Sequence, residues 1–153
     1  MATETETKVE LSEKQIKHLE FIQGVLNRMA SNSFQMKGWM VVIVSALLAI
    51  YADDNTKNSL YVLFAIFPTI IFWGLDSYYL QQERKFRGIY NDVAGLSKQE
   101  EKKQVRLFEM PIQKYVGGKY SYWNVVFSKT ILWLYLPVTG ILLIIYFFLT
   151  PKP

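Results

Sequence analysis

The chain has 153 residues, of which 51% are hydrophobic, 16% aromatic and 20% charged, and its formal net charge is +4. This length fits one domain, and apolar and charged residues in separate blocks are typical of small membrane proteins. The absence of cysteine excludes disulfides and cysteine-bound metal, and a single histidine argues against a metal site or catalytic triad built on histidine.

The N-terminal segment is polar and acidic, unlike a signal peptide, and we expect residues 1–11 to be disordered. A helix is predicted to begin at Ser12, because Ser12 and Gln15 have the spacing of a capping box. Apolar residues then recur every three or four positions, which predicts an amphipathic cytoplasmic helix over residues 12–33. This helix either packs on its own protein or lies on the membrane surface.

Two apolar runs joined by a short polar loop predict a transmembrane helical hairpin over residues 34–80. Lys37 lies at the start of the first run, where its long side chain can reach the membrane interface. Trp39 and Tyr51 lie near the two ends of that run, as interfacial aromatic residues do. Pro68 lies inside the second run and predicts a kink.

A hydrophilic, basic block over residues 81–122 is predicted to be a cytoplasmic loop region that contains helices. The second membrane helix continues into it as far as Gly95, which is a plausible stop. A separate helix is predicted over residues 97–109, because Ser97 and Glu100 repeat the capping-box spacing.

The last apolar run predicts a third transmembrane helix over residues 123–150, kinked at Pro137 and followed by a tail over residues 151–153. The predicted fold is therefore an all-α membrane protein. It has three transmembrane helices, an N-terminal amphipathic helix and a helical cytoplasmic loop region.

The basic residues predict the topology. Fifteen of the 17 lysines and arginines lie before the first span or between the second and third spans, and two lie on the other side. Lysine and arginine are retained on the cytoplasmic side of a membrane. We therefore expect the N-terminus and the loop over residues 81–129 in the cytoplasm and the C-terminus outside.

Asp76 is an acid about one turn inside the cytoplasmic end of the second span. A carboxylate at membrane depth is costly unless it is paired or hydrated. One interpretation is an ion pair with Lys37 or with Arg84 that locks the hairpin. The other is that Asp76 lines an aqueous path or a contact between subunits.

Small and polar residues also accompany the first span. Asn32 and Ser33 precede it, and Ser45, Ala46 and Ala49 lie within it. They indicate either close packing between helices or a stripe that lines a pore.

The basic loop has two interpretations of its own. It signals the topology and contacts anionic lipid, or it binds a cytoplasmic protein, RNA or a nucleotide messenger. No phosphate-binding loop, nucleophile elbow or HExxH motif is present. We therefore expect no enzymatic activity, no cofactor and no metal.

Two segments, NRMASNSFQMKGW (residues 27–39) and FWGLDSYYLQQERKFRGIY (residues 72–90), resemble the RipA-like family of small bacterial inner-membrane proteins. The resemblance covers the first two spans and their flanks. It implies a homo-oligomeric, octameric ring, similar to ring-forming membrane effectors of antiviral defence systems. It points, without assigning chemistry, to Asn32, Ser33, Lys37, Trp39, Asp76, Tyr79, Glu83 and Arg84.

The predicted function is a ring that forms a pore or perturbs the membrane in defence or stress. Three spans are too few to enclose a path alone, so conduction requires several copies. The alternative is a non-conducting scaffold that recruits a cytoplasmic or membrane partner through the basic loop. The expected partners are the lipid bilayer, further copies of the chain and the ligand of the loop.

Overall fold

The computed structural model describes the backbone of residues 2–53 and 59–149, and the side chains of residues 12–53 and 59–148. Within this part of the chain every regular element is helical. The three long helices are α1 (Ala2–Asp53), α2 (Ser59–Val93) and, after the short helix α3 (Tyr122–Val126), α4 (Lys129–Ile144). The first two are long and apolar enough to cross a membrane, and so is α4 together with the π-helical turn that continues it over Ile145–Leu149. The predicted hairpin tip at residues 54–58 and the tail at 151–153 lie outside the described residues.

Helix α1 is one continuous helix of 52 residues. The helix therefore begins before the predicted start at Ser12, and the described backbone of residues 2–11 is helical where disorder was predicted for residues 1–11. It also continues without a break across the predicted boundary between residues 33 and 34, and the assignment of the two sides to cytoplasm and membrane stays a prediction. Residues 2–11 contain no glycine or proline that would end a helix. Across the predicted boundary, Leu26, Ser33 and Met40 stay buried at helical spacing, so one stripe faces α2 throughout.

Helix α2 returns antiparallel along α1 and extends past residue 80, as predicted. Pro68 lies inside it, and the Oγ1 of Thr69 donates a hydrogen bond to the carbonyl of Ala65 at 2.8 Å. The helix continues through Pro68, and α4 continues through Pro137; the predicted kinks stay predictions. The end of α2 is a Schellman motif, in which the Leu96 amide bonds to the Asn91 carbonyl at 2.8 Å.

The predicted helix over residues 97–109 is absent, and this segment consists of turns around an extended stretch. Tertiary contacts override its helical pattern. The Lys103 amide donates to the Asp92 carboxylate at 3.3 Å, and Val105 packs on the apolar cluster beneath. Phe108 has a φ of 61°, a left-handed conformation that no helix accommodates.

Two apolar clusters lie along the hairpin. The span cluster joins all three long helices, and its buried members are Met40, Val44, Tyr51, Val62, Ala65, Ile131, Tyr135 and Leu142. The head cluster lies at the other end of α2, and its buried members are Ile22, Leu26, Ile89 and Tyr115. We call the region around the head cluster, which includes the segment 96–121, the head.

The third span begins later than the predicted residue 123. Residues 122–126 form α3 instead, and α4 begins after Ser128, whose extended backbone (ψ 150°) separates the two helices. Two hydrogen bonds from side chains to backbone carbonyls hold this break against α2. Trp73 Nε1 donates to the Val126 carbonyl at 3.2 Å, and the Tyr122 hydroxyl donates to the Gly74 carbonyl at 3.2 Å. These contacts fix α3 across α2 and turn the chain into α4.

Candidate functional site

A buried carboxylate, Asp76, lies between the span cluster and the head cluster and has no exposed surface. The Ser33 hydroxyl donates to its Oδ1 at 2.5 Å, and Lys37 Nζ donates to the same oxygen at 2.8 Å. Lys37 Nζ also donates to the Ser33 hydroxyl oxygen at 2.9 Å. Ser33 and Lys37 are one turn apart on α1, so both side chains reach the same point on α2.

Helix α4 contributes a third side of this site. Tyr135 is fully buried, its ring stacks on Trp73 with 5.9 Å between centroids, and its hydroxyl donates to the Phe72 carbonyl at 3.3 Å. Phe72 precedes Asp76 by one turn of α2, so this hydrogen bond lies at about the level of Asp76. Ser33, Lys37, Asp76 and Tyr135 are called the polar node below. At the polar node, α2 is hydrogen-bonded to both α1 and α4.

The two charges of the polar node differ in their access to water. The Lys37 side chain is 26% exposed and the Asp76 side chain 0%. Asp76 Oδ2 is 2.7 Å from Lys37 Nζ, but it has no well-directed hydrogen bond, so the hydrogen bonds concentrate on Oδ1. Burying such a pair costs desolvation that the attraction offsets only when geometry is good. The arrangement therefore fixes the register of α1 on α2 more than it adds stability.

Of the predicted site residues, Ser33, Lys37 and Asp76 come together. Arg84, the alternative partner of Asp76, instead donates to the Lys119 carbonyl at 3.3 Å. Asn32 is half-buried beside Ser33 on α1.

The remaining predicted residues lie apart from the polar node. Glu83 pairs with Arg87 one turn later at 2.5 Å. Tyr79 is half-buried, with its ring edge-on to that of Tyr78 at 5.7 Å. Trp39 is 55% exposed, and Ser45 is exposed on the outer side of α1.

Sequence reasoning missed Tyr135. A hydroxyl-bearing ring in the middle of an aliphatic span was the available signal, because a phenol at membrane depth needs a hydrogen-bond partner. It also missed Asp92, which carries no comparable signal in its polar surroundings.

Asp92 organises the head. It is 6% exposed and its Oδ2 accepts a hydrogen bond from the Tyr115 hydroxyl at 2.6 Å. Lys103 Nζ lies 4.3 Å from the centre of the Tyr115 ring and donates to the Lys114 carbonyl. Burial, with the hydrogen bond to Asp92, raises the pKa of the Tyr115 hydroxyl well above its ordinary value. Tyr115 therefore stays a neutral donor over the physiological pH range.

Replacing Tyr115 with phenylalanine should destabilise the head by about 1–2 kcal/mol, because Asp92 loses its shortest hydrogen bond while it stays buried. Thermal unfolding in detergent, followed by intrinsic fluorescence, measures the change. Tyr78→Phe, which removes an exposed hydroxyl, is the control. An unchanged melting temperature in Tyr115→Phe would show that the Asp92 contact contributes nothing.

The outward-facing side of α1 mixes small and large residues. Its exposed small and short polar residues follow helical spacing and form what we call the small-residue face: Gly24, Asn27, Ser31, Gly38, Ser45 and Ala49. Large apolar side chains are also exposed on α1, at Phe34, Trp39, Val41, Val42 and Ile50. Among the described residues, a Cβ on Gly24 or Gly38 would meet no atom within 4 Å. Packing inside the chain therefore does not require these two glycines.

The outward-facing sides of α2 and α4 carry large apolar side chains. On α2 these are Leu63, Phe64, Phe67, Ile70, Ile71 and Leu75. On α4 and the π-helical turn after it they are Trp133, Leu136, Ile141, Ile144, Phe147 and Phe148. Such surfaces suit contact with lipid tails.

Comparison with protein-family models, curated proteins and solved structures found no match to this chain. The function is therefore inferred from three features of this chain: the polar node, the head and the small-residue face.

Proposed function

We propose that the chain is a multi-pass protein of the bacterial inner membrane that assembles into a homo-oligomeric ring, and that the ring forms a pore or perturbs the membrane in defence or stress. The observation that carries this proposal is the small-residue face of α1. Helices in membranes associate through small residues that let backbones approach closely, whereas large apolar residues face lipid.

The glycines strengthen the argument. Glycine inside a helix costs about 1 kcal/mol relative to alanine. Gly24 and Gly38 carry that cost without an intramolecular reason, because a Cβ at either position would meet no described atom within 4 Å. A close approach by α1 of another copy supplies the reason.

The polar node supports a rigid repeating unit. It joins α1, α2 and α4 at one level, so a subunit can present the small-residue face in a fixed direction. When such a face packs against a different surface of the next copy, the contact repeats until a ring closes. The resemblance to the RipA-like family is the reason to expect eight copies.

The basic residues support the proposed orientation. With the N-terminus and residues 81–129 in the cytoplasm and the C-terminus outside, the head lies in the cytoplasm. The ring would then place eight heads around its cytoplasmic opening.

Ala49→Phe is expected to break the ring, because a large ring on the small-residue face prevents close helix approach; overpacking costs about 1–3 kcal/mol at each contact. The control is Leu63→Phe, on the lipid-suited face of α2, where Leu63 is 47% exposed. Native mass spectrometry from nanodiscs gives the mass of each assembly. A wild-type monomer, or a ring that survives Ala49→Phe, would refute the proposed contact.

A non-conducting scaffold is the second candidate. Exposed apolar side chains of the head favour it: Ile16, Phe21, Leu107 and Phe108. They form a surface outside the spans on which a partner protein could dock. Potassium efflux from vesicles separates the candidates, because a ring that leaves the vesicles tight is a scaffold and not a pore.

A further inference from the structure

A cavity of about 370 Å³ opens in the head between three parts of the chain. Gln15 and His18 of α1 form one wall, Asp92 and Val93 of α2 form the second, and residues 102–107 form the third. This volume is at the small end of the range for ligand pockets, about 300–1,000 Å³. It suits a small molecule.

The charges around this cavity are mainly positive. Lys102 and Arg106 are both exposed and both line the cavity, while Val105 between them packs on the head cluster. Neither Lys102 nor Arg106 forms an ion pair within the described part of the chain. The acid in the wall, Asp92, already accepts hydrogen bonds from the Tyr115 hydroxyl and the Lys103 amide.

His18, which lines the cavity, has a ring nitrogen without a hydrogen-bond partner in the described chain. It is 1% exposed, and its Nε2 lies 3.2 Å from the Glu109 carbonyl oxygen. Because a carbonyl only accepts, Nε2 donates, and Nδ1 of the neutral ring is left as an acceptor. Among the described residues Nδ1 is buried without a hydrogen-bond partner, which is unfavourable for a polar atom.

We propose that this cavity binds a small soluble phosphoanion, inorganic phosphate or a phosphate monoester. Phosphate oxygens suit the Arg106 guanidinium and the Lys102 ammonium. A hydroxyl on the same ligand is the kind of donor that His18 Nδ1 lacks.

The position on α1 favours a soluble ligand over a lipid headgroup. His18 precedes Lys37 by 19 residues of one helix, which is about 28 Å at ~1.5 Å per residue. A headgroup at the level of Lys37 does not reach that far along α1.

Binding would join α1 to the segment 102–107. Because α1 also carries the small-residue face, the ligand would act on the same helix that forms the ring. This consequence rests on the proposed function, whereas binding itself does not.

The test is isothermal titration calorimetry of the full chain in nanodiscs of neutral phosphatidylcholine, with inorganic phosphate and AMP as separate probes at constant ionic strength. We expect saturable binding of at least one probe, with one site per chain. Lys102→Gln/Arg106→Gln should weaken that binding at least tenfold. Arg106→Lys, which keeps the charge and loses the bidentate geometry, should weaken it less.

The matched control is Lys98→Gln/Lys129→Gln, which removes the same charge from two exposed residues that do not line the cavity. It should bind like the wild type. No saturable binding of either probe to the wild type would overturn the proposal, as would equal weakening in the control. The mass of the assembly, measured on the same samples, reports separately on the ring.

Discussion

Replacing Lys37 with alanine is expected to lower the free energy of unfolding of the helical bundle by about 3–5 kcal/mol, the usual cost of removing one partner of a buried ion pair. The change leaves the buried Asp76 carboxylate with the Ser33 hydroxyl as its hydrogen-bond donor but without a cation. Asp76→Ala should cost less. The Lys37 side chain is 26% exposed, so its ammonium can turn to the interface.

The double variant Lys37→Ala/Asp76→Ala should lose about 2 kcal/mol less than the sum of the two single losses, because it leaves neither charge unpaired. Reversible unfolding in mixed detergent and SDS micelles measures all three variants. The control is the same cycle on Glu83 and Arg87, a pair one turn apart on α2 in which the Arg87 side chain is 65% exposed and the Glu83 side chain 15%. Its coupling should stay below about 0.5 kcal/mol.

Additive losses at Lys37 and Asp76 would mean that the contact at 2.8 Å has no energetic role. The polar node would then be an accidental meeting of side chains. Equal coupling in both cycles would show that burial does not distinguish the two pairs.

Gly88→Ala is the second change with a large expected effect. A Cβ at Gly88 would lie 2.6 Å from the Tyr120 hydroxyl oxygen and 2.7 Å from Cδ1 of Tyr115. Tyr115 is 1% exposed and bonded to Asp92, so it has no free direction in which to move. We expect a loss of about 1–3 kcal/mol from overpacking, although alanine alone favours a helix by about 1 kcal/mol.

Gly74→Ala is the matched control on the same helix. Its Cβ would lie 3.4 Å from the Tyr122 hydroxyl oxygen, an ordinary contact distance, so the helix propensity of alanine should leave stability unchanged or raised. Limited proteolysis of residues 96–121 shows whether the loss in Gly88→Ala is confined to the head. A Gly88→Ala protein as resistant as the wild type would contradict the close packing of Tyr115 and Tyr120 on α2.

The pairing of Lys37 with Asp76 could be inferred from sequence because both residues lie one turn inside the same end of a hairpin. The position of Tyr135 near this pair could not be inferred from sequence. Helix α4 is apolar on all sides, so its sequence does not fix which side faces the hairpin, and the contact of Tyr135 depends on that rotation.

The head was predicted least well, for a related reason. Ser97 and Glu100 have the spacing of a helix start, but capping is worth only about 1 kcal/mol. The contacts of Asp92 with Tyr115 and Lys103 join residues 11 and 23 positions apart. Local sequence patterns do not report such long-range contacts, so the non-helical conformation of residues 102–106 could not be predicted.

The continuity of α1 has a mechanical consequence. A helix without a break between residues 12 and 53 can tilt as one rigid body, and the polar node, where Ser33 and Lys37 bind Asp76 of α2, is the point about which it would tilt. From Lys37 to residue 12 the helix is about 37 Å long at ~1.5 Å per residue. A tilt of about 5° about this point would therefore displace the far end by about 3 Å and turn the opposite part of the helix within the membrane by the same angle.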